Sequence, residues 1–366
     1  MIIKQLGMSK ISTIENHRTV PICIVIRTYF RSECLAKVLD SILSLNYPRE
    51  KIEVILAVDS RDMEALKVAD KFKNRGIKLE AIVMDVNSAN RGRNLGIKRC
   101  NSEIVAVVDD DVVLHPETVN VASRYMCDKR VAAVGFPAIS FRPTLAEKLH
   151  HFRFLGLKSV DVCTVMPVTF FRKSVLYEVG PYREDMGPPL TIHEDWELGS
   201  RIRRHGYKVL VSGELGMLHL LHIREGAGPR KDDNTAVSRH RWSFLTNQFT
   251  GYIKRLVHYS NAYVNKHWWS FFQVLKVSPL SQKLEYAVYY LIPLVAILLL
   301  VVNIYWFLAF LVAVLGSIEF YSFVRGYYRV LSVWEWIAYP MILILVRIAR
   351  SYLALTGLLY SLVKKK

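Results

Sequence analysis

The sequence predicts an α/β protein in which a mostly parallel, doubly wound, Rossmann-like sheet precedes an α-helical C-terminal membrane region. Up to residue 116, short β-branched apolar segments alternate with segments of helical periodicity. Such alternation is typical of a parallel sheet with helices on both faces. After Tyr286 the chain contains apolar segments of about the length that crosses a membrane. These segments contribute much of the 52% hydrophobic content.

The alternation predicts the first elements of the chain in order. Strands are expected over residues 21–28, 52–58, 79–83 and 104–108. Helices are expected between them, over residues 35–45, 62–74 and 90–98. Because crossovers between parallel strands are right-handed, the carboxyl ends of these four strands should meet at one edge of the sheet. Beyond residue 117 the pattern is less regular and predicts strands over 131–136, 165–170 and 208–211 and a helix over 195–205.

The changes in composition predict four parts: an N-terminal arm (1–20), a catalytic domain (21–250), interfacial helices (251–283) and a membrane region (284–366). Within the last part, residues 286–302 and 304–323 are predicted to span a bilayer. The apolar segment 334–363 carries Arg347 and Arg350, which are costly in lipid, so it either spans with both facing protein or lies on the surface. The placement of basic residues favours two spans and a surface helix.

The formal charge of +17 indicates an anionic partner. The basic residues lack zinc-finger spacing and an aromatic RNA-binding pattern, so nucleic acid is not the expected partner. Five cysteines without a C-x-x-C spacing indicate a reducing compartment and disfavour a disulfide framework. No signal-peptide pattern is seen at the N-terminus. We therefore expect an integral protein of the cell membrane whose catalytic domain faces the cytosol.

Three consecutive carboxylates, Asp109, Asp110 and Asp111, follow the apolar strand segment 104–108. Carboxylates at the end of a buried strand are costly unless a positive group neutralises them. Hard oxygen ligands suit Mg²⁺ or Mn²⁺, and such ions bind substrate phosphates. The alternative is a solvated turn, which the apolar residues directly after the triplet disfavour. The triplet therefore predicts a metal and phosphate site.

Further polar motifs follow the other predicted strands and the segment beyond them. These are Thr28–Tyr29, Asp59, Arg93–Asn94–Leu95–Gly96 and Glu194–Asp195, the last before a helix that ends at Gly206–Tyr207. In this order and spacing, together with the aspartate triplet, the sequence over residues 20–225 resembles the family 2 glycosyltransferases. That resemblance implies the GT-A fold, a nucleotide-activated sugar as donor and inversion at the anomeric carbon.

The resemblance implies roles for four residues that would bind the donor nucleotide. Thr28 and Tyr29 would flank the base and ribose, and Asp59 would accept a hydrogen bond from the base. Arg93 would pair with a phosphate, since a guanidinium matches phosphate oxygens in geometry. Two alternatives stay open: Asp59 as the N-cap of the following helix, and Arg93 as a solvated helix charge.

The resemblance also implies a divalent cation, Mn²⁺ or Mg²⁺, at the triplet. Asp109 would contact the ribose or the metal, and Asp111 would bind the metal. Asp110 is expected to be one of the residues that bind the donor. The ion would offset the charge that develops on the nucleotide diphosphate leaving group. His219 and His222 are further candidate metal ligands, and the alternative for both is a packed or surface histidine.

For the acceptor, the resemblance implies Asp195 as the general base and Glu194 as its neighbour. A hydroxyl has to lose its proton as it attacks the anomeric carbon, so a carboxylate within hydrogen-bond reach is required. The alternative is that both acids merely favour the first turn of a helix. Arg241 and Trp242 match part of a Q-x-x-R-W motif of processive members, where they would contact the diphosphate and the acceptor. Ser238 stands in place of the glutamine, which weakens the inference to polymer synthesis.

These features predict an enzyme that moves a sugar from a nucleotide-diphosphate sugar to a hydroxyl of a lipid or lipid-linked acceptor at the cytosolic membrane face. A polyprenyl (dolichyl) phosphate glycosyltransferase is the alternative, although a phosphate acceptor is already ionised and needs no base. A processive polysaccharide synthase and a non-catalytic membrane-tethered binding protein are weaker hypotheses. The sequence does not indicate the oligomeric state.

Overall fold

The computed structural model describes residues 19–76, 78–85, 88–140, 148, 151, 154–186, 194–220, 272, 275–276, 280–324 and 333–364. All but the last two residues of the predicted arm 1–20, and most of the interfacial segment 251–283, therefore lie outside the described residues. The chain divides into two units, Met1–Pro143 with His150–Asn234, and Thr144–Leu149 with Thr235–Lys366. The four-part domain division remains a prediction.

Four parallel strands form the part of the first unit that the alternation predicted. They are β1 (Ile22–Thr28), β2 (Ile52–Asp59), β3 (Lys78–Met84) and β4 (Ile104–Asp109). β1 lies between β2 and β4, and β3 flanks β2. The carboxyl ends of all four strands thus lie at one edge of the sheet, as predicted.

The remaining strands extend the main sheet and form a small second one. They are β5 (Val112–Val113), β6 (Val131–Phe136), β7 (Ala138–Ile139), β8 (Val160–Asp161), β9 (Val168–Arg172), β10 (Lys208–Val211) and β11 (Met217–His219). Among the described residues, the main sheet has eight strands in the order β3-β2-β1-β4-β9-β6-β10-β8, and the second has the order β5-β11-β7. β9 runs antiparallel to both β4 and β6, so the sheet is mostly but not wholly parallel.

The strand predicted over residues 165–170 begins later, at Val168, because the residues before it form a turn. The Met166 amide donates to Thr169 Oγ1, and that hydroxyl donates back to the Met166 carbonyl. The Pro167 carbonyl accepts from the Asp109 amide, and the Val165 amide donates to the Asp195 carbonyl. Hydrogen bonds from this turn therefore reach both the end of β4, at Asp109, and the start of the helix that contains Asp195.

Helices pack on both faces of the sheet, as predicted. They are α1 (Ser32–Leu43), α2 (Met63–Lys73), α3 (Ala89–Arg99), α4 (Thr118–Met126), α5 (Lys173–Val179) and α6 (Glu194–Arg204). The alternating residues of β1 contribute to two separate buried clusters. Ile24 packs in the cluster that contains Leu39 of α1, whereas Val25 packs in the one that contains Ile97 of α3. Both faces of β1 are therefore buried, which explains its unbroken apolar run.

A disulfide joins Cys23 of β1 to Cys100, the residue that follows α3. The expectation that the cysteines form no disulfide was therefore wrong for this pair. Its cause is the close approach of α3 to β1: a Cβ at Gly96 would lie 2.3 Å from Val25 Cγ1. A spacing of 77 residues has no local signature, so cysteine spacing alone did not predict the bond.

The second unit contains α7 (Leu280–Val302), α8 (Ile304–Val324) and α9 (Val333–Lys364). Their bounds contain the three predicted apolar segments. The Tyr290 hydroxyl donates to the Ser351 carbonyl, and the Tyr352 hydroxyl donates to the Tyr290 carbonyl. Within the part of the chain that the structure describes, no helix has the length and apolar character needed to cross a membrane.

Candidate active site

The site lies at the edge where β1, β2 and β4 end. Arg27 of β1 is in register with Asp109 of β4, and Thr28 is in register with Val58, next to Asp59 of β2. Parallel pairing therefore brings the predicted nucleotide-binding residues and the aspartate triplet to one region. This is the crevice at which open α/β sheets bind ligands.

Arg31 neutralises two of the three aspartates. Its Nη1 lies 2.8 Å from Asp110 Oδ1 and 3.1 Å from Asp111 Oδ2. Both aspartates are buried, with 3% and 1% of their surface exposed. Burial raises the pKa of Asp110, and the charge of Arg31 partly offsets this rise. Arg31 was not predicted from the sequence, although it lies two residues after the Thr28–Tyr29 motif.

The residues of this cluster fit a divalent cation. Carboxylate oxygens suit Mn²⁺ or Mg²⁺, and His219 Nε2 lies 3.6 Å from Asp111 Oδ2. Asp110 Oδ2 is buried without a hydrogen bond of normal geometry among the described residues, so the cluster has an oxygen that still needs a positive partner. Asp109, Asp111 and His219 are the residues that would hold the ion. His222 lies outside the described residues.

Arg93 connects the triplet to the predicted base helix. Its Nη2 lies 3.1 Å from Asp109 Oδ1, and its Nη1 lies 3.3 Å from Glu194 Oε1. The guanidinium also lies over the Tyr182 ring, 5.1 Å from the centroid. The alternative of a solvated helix charge is therefore wrong for Arg93. Tyr182 is a further site residue that the sequence pattern did not indicate.

Glu194 and Asp195 begin α6, and both have raised pKa values. Burial is the main cause of the large rise in the pKa of Asp195; the charge of Glu194 adds to it, and Arg93 opposes it. Burial likewise raises the pKa of Glu194 against the opposing charge of Arg93. A carboxylate with a raised pKa binds a proton more tightly, which suits it to general-base chemistry.

Asp59 forms a side-on ion pair with Arg61. Its Oδ1 accepts from Arg61 Nε at 2.8 Å, and its Oδ2 accepts from Arg61 Nη2 at 2.9 Å. These hydrogen bonds lower the pKa of Asp59 despite its burial. The N-cap of α2 is Asp62, whose carboxylate accepts from the Ala65 amide. The alternative in which Asp59 caps this helix is therefore wrong.

Tyr29 and Phe30 form an aromatic pair beside this ion pair. Their ring centroids are 4.8 Å apart with an edge-to-face geometry. Arg61 lies 5.8 Å from the centroid of the Tyr29 ring. Phe30 has a φ of 50°, and its amide donates to Asp62 Oδ2 at 2.5 Å. The structure thus places the predicted residues that it describes in two clusters at this edge: Tyr29 and Asp59 lie with Arg61, and the aspartate triplet lies with Arg93, Glu194 and His219. Arg241 and Trp242 lie outside the described residues.

The fold and the order of these site residues agree with the result of a family comparison. The profile of the family described as "Glycosyltransferase like family 2" matches residues 19–244. The chain belongs to this family, and its α/β domain with a mostly parallel central sheet has a GT-A-like fold.

The chain spans only 28% to 57% of the length of the two curated relatives described below. Poly(ribitol-phosphate) beta-N-acetylglucosaminyltransferase TarS of Staphylococcus aureus is 24% identical over 165 residues, which cover 42% of this chain and 28% of TarS. Glycosyltransferase AglE of Haloferax volcanii is 28% identical over 173 residues, covering 45% of this chain and 57% of AglE. Mannosyltransferase PcManGT from Pyrobaculum calidifontis, solved with GDP-Man and Mn²⁺, has a TM-score of 0.49 at 13% identity and covers 99% of this chain and 93% of that structure.

Proposed function

We propose that this protein is an inverting, metal-dependent glycosyltransferase that moves a sugar from a nucleotide-diphosphate sugar to a hydroxyl of a lipid or lipid-linked acceptor. The observation that carries the proposal is the ion-pair chain Asp109–Arg93–Glu194. One guanidinium holds an acid of the proposed donor site and an acid of the proposed acceptor site. Membership of the glycosyltransferase family supports the same reaction class.

In the proposed reaction, Asp195 accepts the proton of the acceptor hydroxyl as its oxygen attacks the anomeric carbon. Arg93 fixes the start of α6 through Glu194, so that the base faces the strand edge where the donor binds. Tyr29 and Asp59, with its partner Arg61, hold the nucleoside end of the donor. Attack on the face opposite the departing diphosphate inverts the anomeric centre.

The proposed cation would be held by Asp109 and Asp111, with His219 nearby. When bound, a divalent ion supplies positive charge for the diphosphate leaving group. Arg31 contacts Asp110 and Asp111, so we propose that it helps to hold these buried acids in place both with and without a bound cation.

The acceptor type distinguishes the main proposal from its alternative. A polyprenyl phosphate acceptor is ionised before it attacks, so it needs no general base. The acid pair Glu194–Asp195 begins α6, and Arg93 links Glu194 to the aspartate triplet; a carboxylate at this place supports a hydroxyl acceptor that has to be deprotonated. One curated relative, glucosyl-dolichyl phosphate glucuronosyltransferase of Haloferax volcanii, is 27% identical over 121 residues, and its name supports a lipid-linked acceptor of this kind.

We further propose that the second unit attaches the enzyme to a membrane with the catalytic domain on the cytosolic side. The described helices α7 and α8 leave large apolar side chains exposed, among them Val301, Trp306 and Val312. Large exposed apolar surfaces mark interaction sites, and lipid is a partner that matches them. Flotation with liposomes tests attachment, and extraction with alkaline carbonate separates surface binding from integral insertion.

The reaction is tested with purified protein in detergent and a panel of nucleotide sugars with Mn²⁺ or Mg²⁺. We predict that Asp195→Asn retains donor binding but lowers transfer by about 100-fold or more, because the base is removed. Asp111→Ala should lose metal-dependent nucleotide binding, measured by calorimetry. Asp70→Asn, which changes an exposed acid of α2, is the matched control. Full transfer activity in Asp195→Asn would exclude Asp195 as the base.

A further inference from the structure

Tyr182 lies in the irregular segment that follows α5, and side chains of α3 fix its position. Asn94 Oδ1 accepts from the Tyr182 amide at 3.0 Å, and Asn94 Nδ2 donates to the Tyr182 carbonyl at 2.8 Å. One helical turn earlier, Asn90 Nδ2 donates to the Arg183 carbonyl at 2.8 Å. Because residues three and four positions apart share one face of a helix, Asn90, Arg93 and Asn94 lie on the same face of α3. The backbone around Tyr182 is therefore docked on the face of α3 that carries Arg93.

The Tyr182 ring is buried and has an aromatic neighbour as well as the cation. The Phe171 ring of β9 packs against it edge to face, with 6.3 Å between the ring centroids. The guanidinium carbon of Arg93 lies over the Tyr182 ring, 5.1 Å from its centroid. Burial raises the pKa of Tyr182 well above its ordinary value, so its hydroxyl stays neutral. Tyr182 therefore offers Arg93 the face of a fixed ring and not a negative charge.

This ring contact complements the polar contacts of Arg93. Nη2 donates to Asp109, whereas Nη1 donates to Glu194 at 3.3 Å and to Asn90 Oδ1 at 3.2 Å. The N–H groups thus serve the acids, while the ring attracts the cation through its face, so the two kinds of contact do not compete. A long arginine side chain has several conformations that reach an acid. The ring favours the one conformation from which Arg93 reaches Asp109 and Glu194 together.

Building on the proposed function, we propose that Tyr182 is a positioning residue for sugar transfer, whose ring holds Arg93 in the orientation that joins the aspartate triplet to Glu194. Asn94 in turn holds the backbone of Tyr182, which gives a role to the asparagine next to Arg93. Through this chain of contacts, the start of α6 and the base Asp195 are placed relative to the acids of the donor site. The ring is the part of Tyr182 that acts, so phenylalanine should replace it and an aliphatic side chain should not.

Transfer kinetics of the full chain in detergent, with the donor that the nucleotide-sugar panel identifies, test this proposal. Tyr182→Leu should lower kcat/KM about 10-fold, because it removes the ring face but keeps an apolar side chain. Tyr182→Phe should stay within about 2-fold of the wild-type protein, because it keeps the ring. In the Arg93→Met background, Tyr182→Leu should have no further effect, since Tyr182 acts through Arg93. Tyr177→Leu is the matched control, because the exposed Tyr177 ring makes the same type of contact with Lys173, at 5.4 Å, within α5.

An equal effect of Tyr182→Leu in the wild-type and Arg93→Met backgrounds overturns the inference, because Tyr182 would then act independently of Arg93. A loss of activity in Tyr182→Phe overturns it as well, since the hydroxyl and not the ring would be required. If the wild-type protein transfers sugar from no donor, the proposed function itself fails and this inference fails with it. Thermal unfolding confirms that each variant is folded. If Tyr182→Leu does not fold, Asn94→Ala, which releases the backbone of Tyr182, takes its place in the same double-mutant cycle.

Discussion

At the scale of single residues, Phe30 shows how the end of β1 is shaped by its surroundings. It is the one non-glycine residue of the described chain with a positive φ, 50°. This conformation costs an ordinary residue about 1–2 kcal/mol. Asp62 binds the amide of Phe30, and the ion pairs of Arg31 hold the next residue. The backbone is therefore fixed from both sides, and Tyr29 and Arg31, on either side of Phe30, contact two different polar clusters.

We predict that Phe30→Gly is more stable than Phe30→Ala by about 1 kcal/mol, since glycine adopts a positive φ without a steric penalty. Both variants lack the ring, so the loss of its packing cancels in the comparison. Urea denaturation of the two variants measures the difference in the free energy of unfolding. Equal stability would show that the backbone at residue 30 is not strained.

The pKa of Asp195 predicts how transfer depends on pH. Asp195 has to be ionised to accept a proton, and burial raises its pKa above the ordinary aspartate value of about 3.9. The rate should therefore be low at acid pH and rise with pH through this raised pKa. Arg93 opposes the rise, so Arg93→Met should move the rising limb of the kcat profile to higher pH.

Arg91→Met is the matched control for this pH experiment, because Arg91 lies on the same helix with an exposed side chain. Its profile should coincide with that of the wild-type protein. A profile of Arg93→Met that moves to lower pH, or does not move, would contradict the assigned charge interaction. Measuring kcat separately from KM keeps changes in donor binding out of the comparison.

The sequence indicated the acids of the site better than their partners. The run Asp109–Asp111 stands out because carboxylates at the end of a buried strand are costly without a positive partner, whereas Glu194–Asp195 stands out through the resemblance to the family. Arg31 had no comparable signal, since an arginine near a strand end is ordinary in a chain with 49 basic residues. Which arginine contacts which acid depends on side-chain geometry across separations of up to 101 residues, as for Arg93 and Glu194.

At the scale of elements, the close packing of α3 on β1 depends on a glycine. A Cβ at Gly96 would lie 2.3 Å from Val25 Cγ1, too close for any ordinary contact. The same helix carries Arg93, so the distance between α3 and the sheet also sets the reach of that side chain. The glycine of the Arg93–Gly96 motif therefore acts through packing, whereas its arginine acts in the site.

We predict that Gly96→Ala lowers the free energy of unfolding by about 1–3 kcal/mol, because the added methyl group overpacks a buried contact. The effect should be smaller in the Val25→Ala background, where the opposing methyl groups are absent. A double-mutant cycle measured by urea denaturation isolates this coupling. Additive effects of the two changes would contradict the proposed contact.

The existence of most elements was predictable, but the direction of β9 was not. A strand that is buried on both faces reads as a continuous apolar run whichever way it points. β9 reverses because the turn around Met166 and Thr169 sends the chain back along β4. That turn contains Pro167 but neither glycine nor asparagine, and the apolar residues on both sides of the proline made it look like part of one strand.

At the scale of the whole molecule, the first unit is determined mainly by its apolar pattern and the second much less so. The first unit alternates between short continuous apolar segments, which predict buried strands, and segments of helical periodicity, which predict helices. In the second unit, every predicted apolar segment is helical, as expected. Uniform apolar sequence specifies a helix but not the face that packs, and hence how these helices are arranged was not predictable from the sequence.

The disulfide between Cys23 and Cys100 is a long-range constraint on the first unit, and its effect can be measured. It joins residues 77 positions apart, which restricts the unfolded chain, and the loop-entropy relation gives at most about 4.5 kcal/mol. We predict that dithiothreitol lowers the free energy of unfolding towards this limit. The double variant with serine at both positions should not respond to dithiothreitol, whereas Cys34→Ser, which removes a free buried thiol, should respond like the wild-type protein. An unchanged stability of the wild-type protein on reduction would show that the packing of α3 on β1, and not the covalent bond, holds these two elements together.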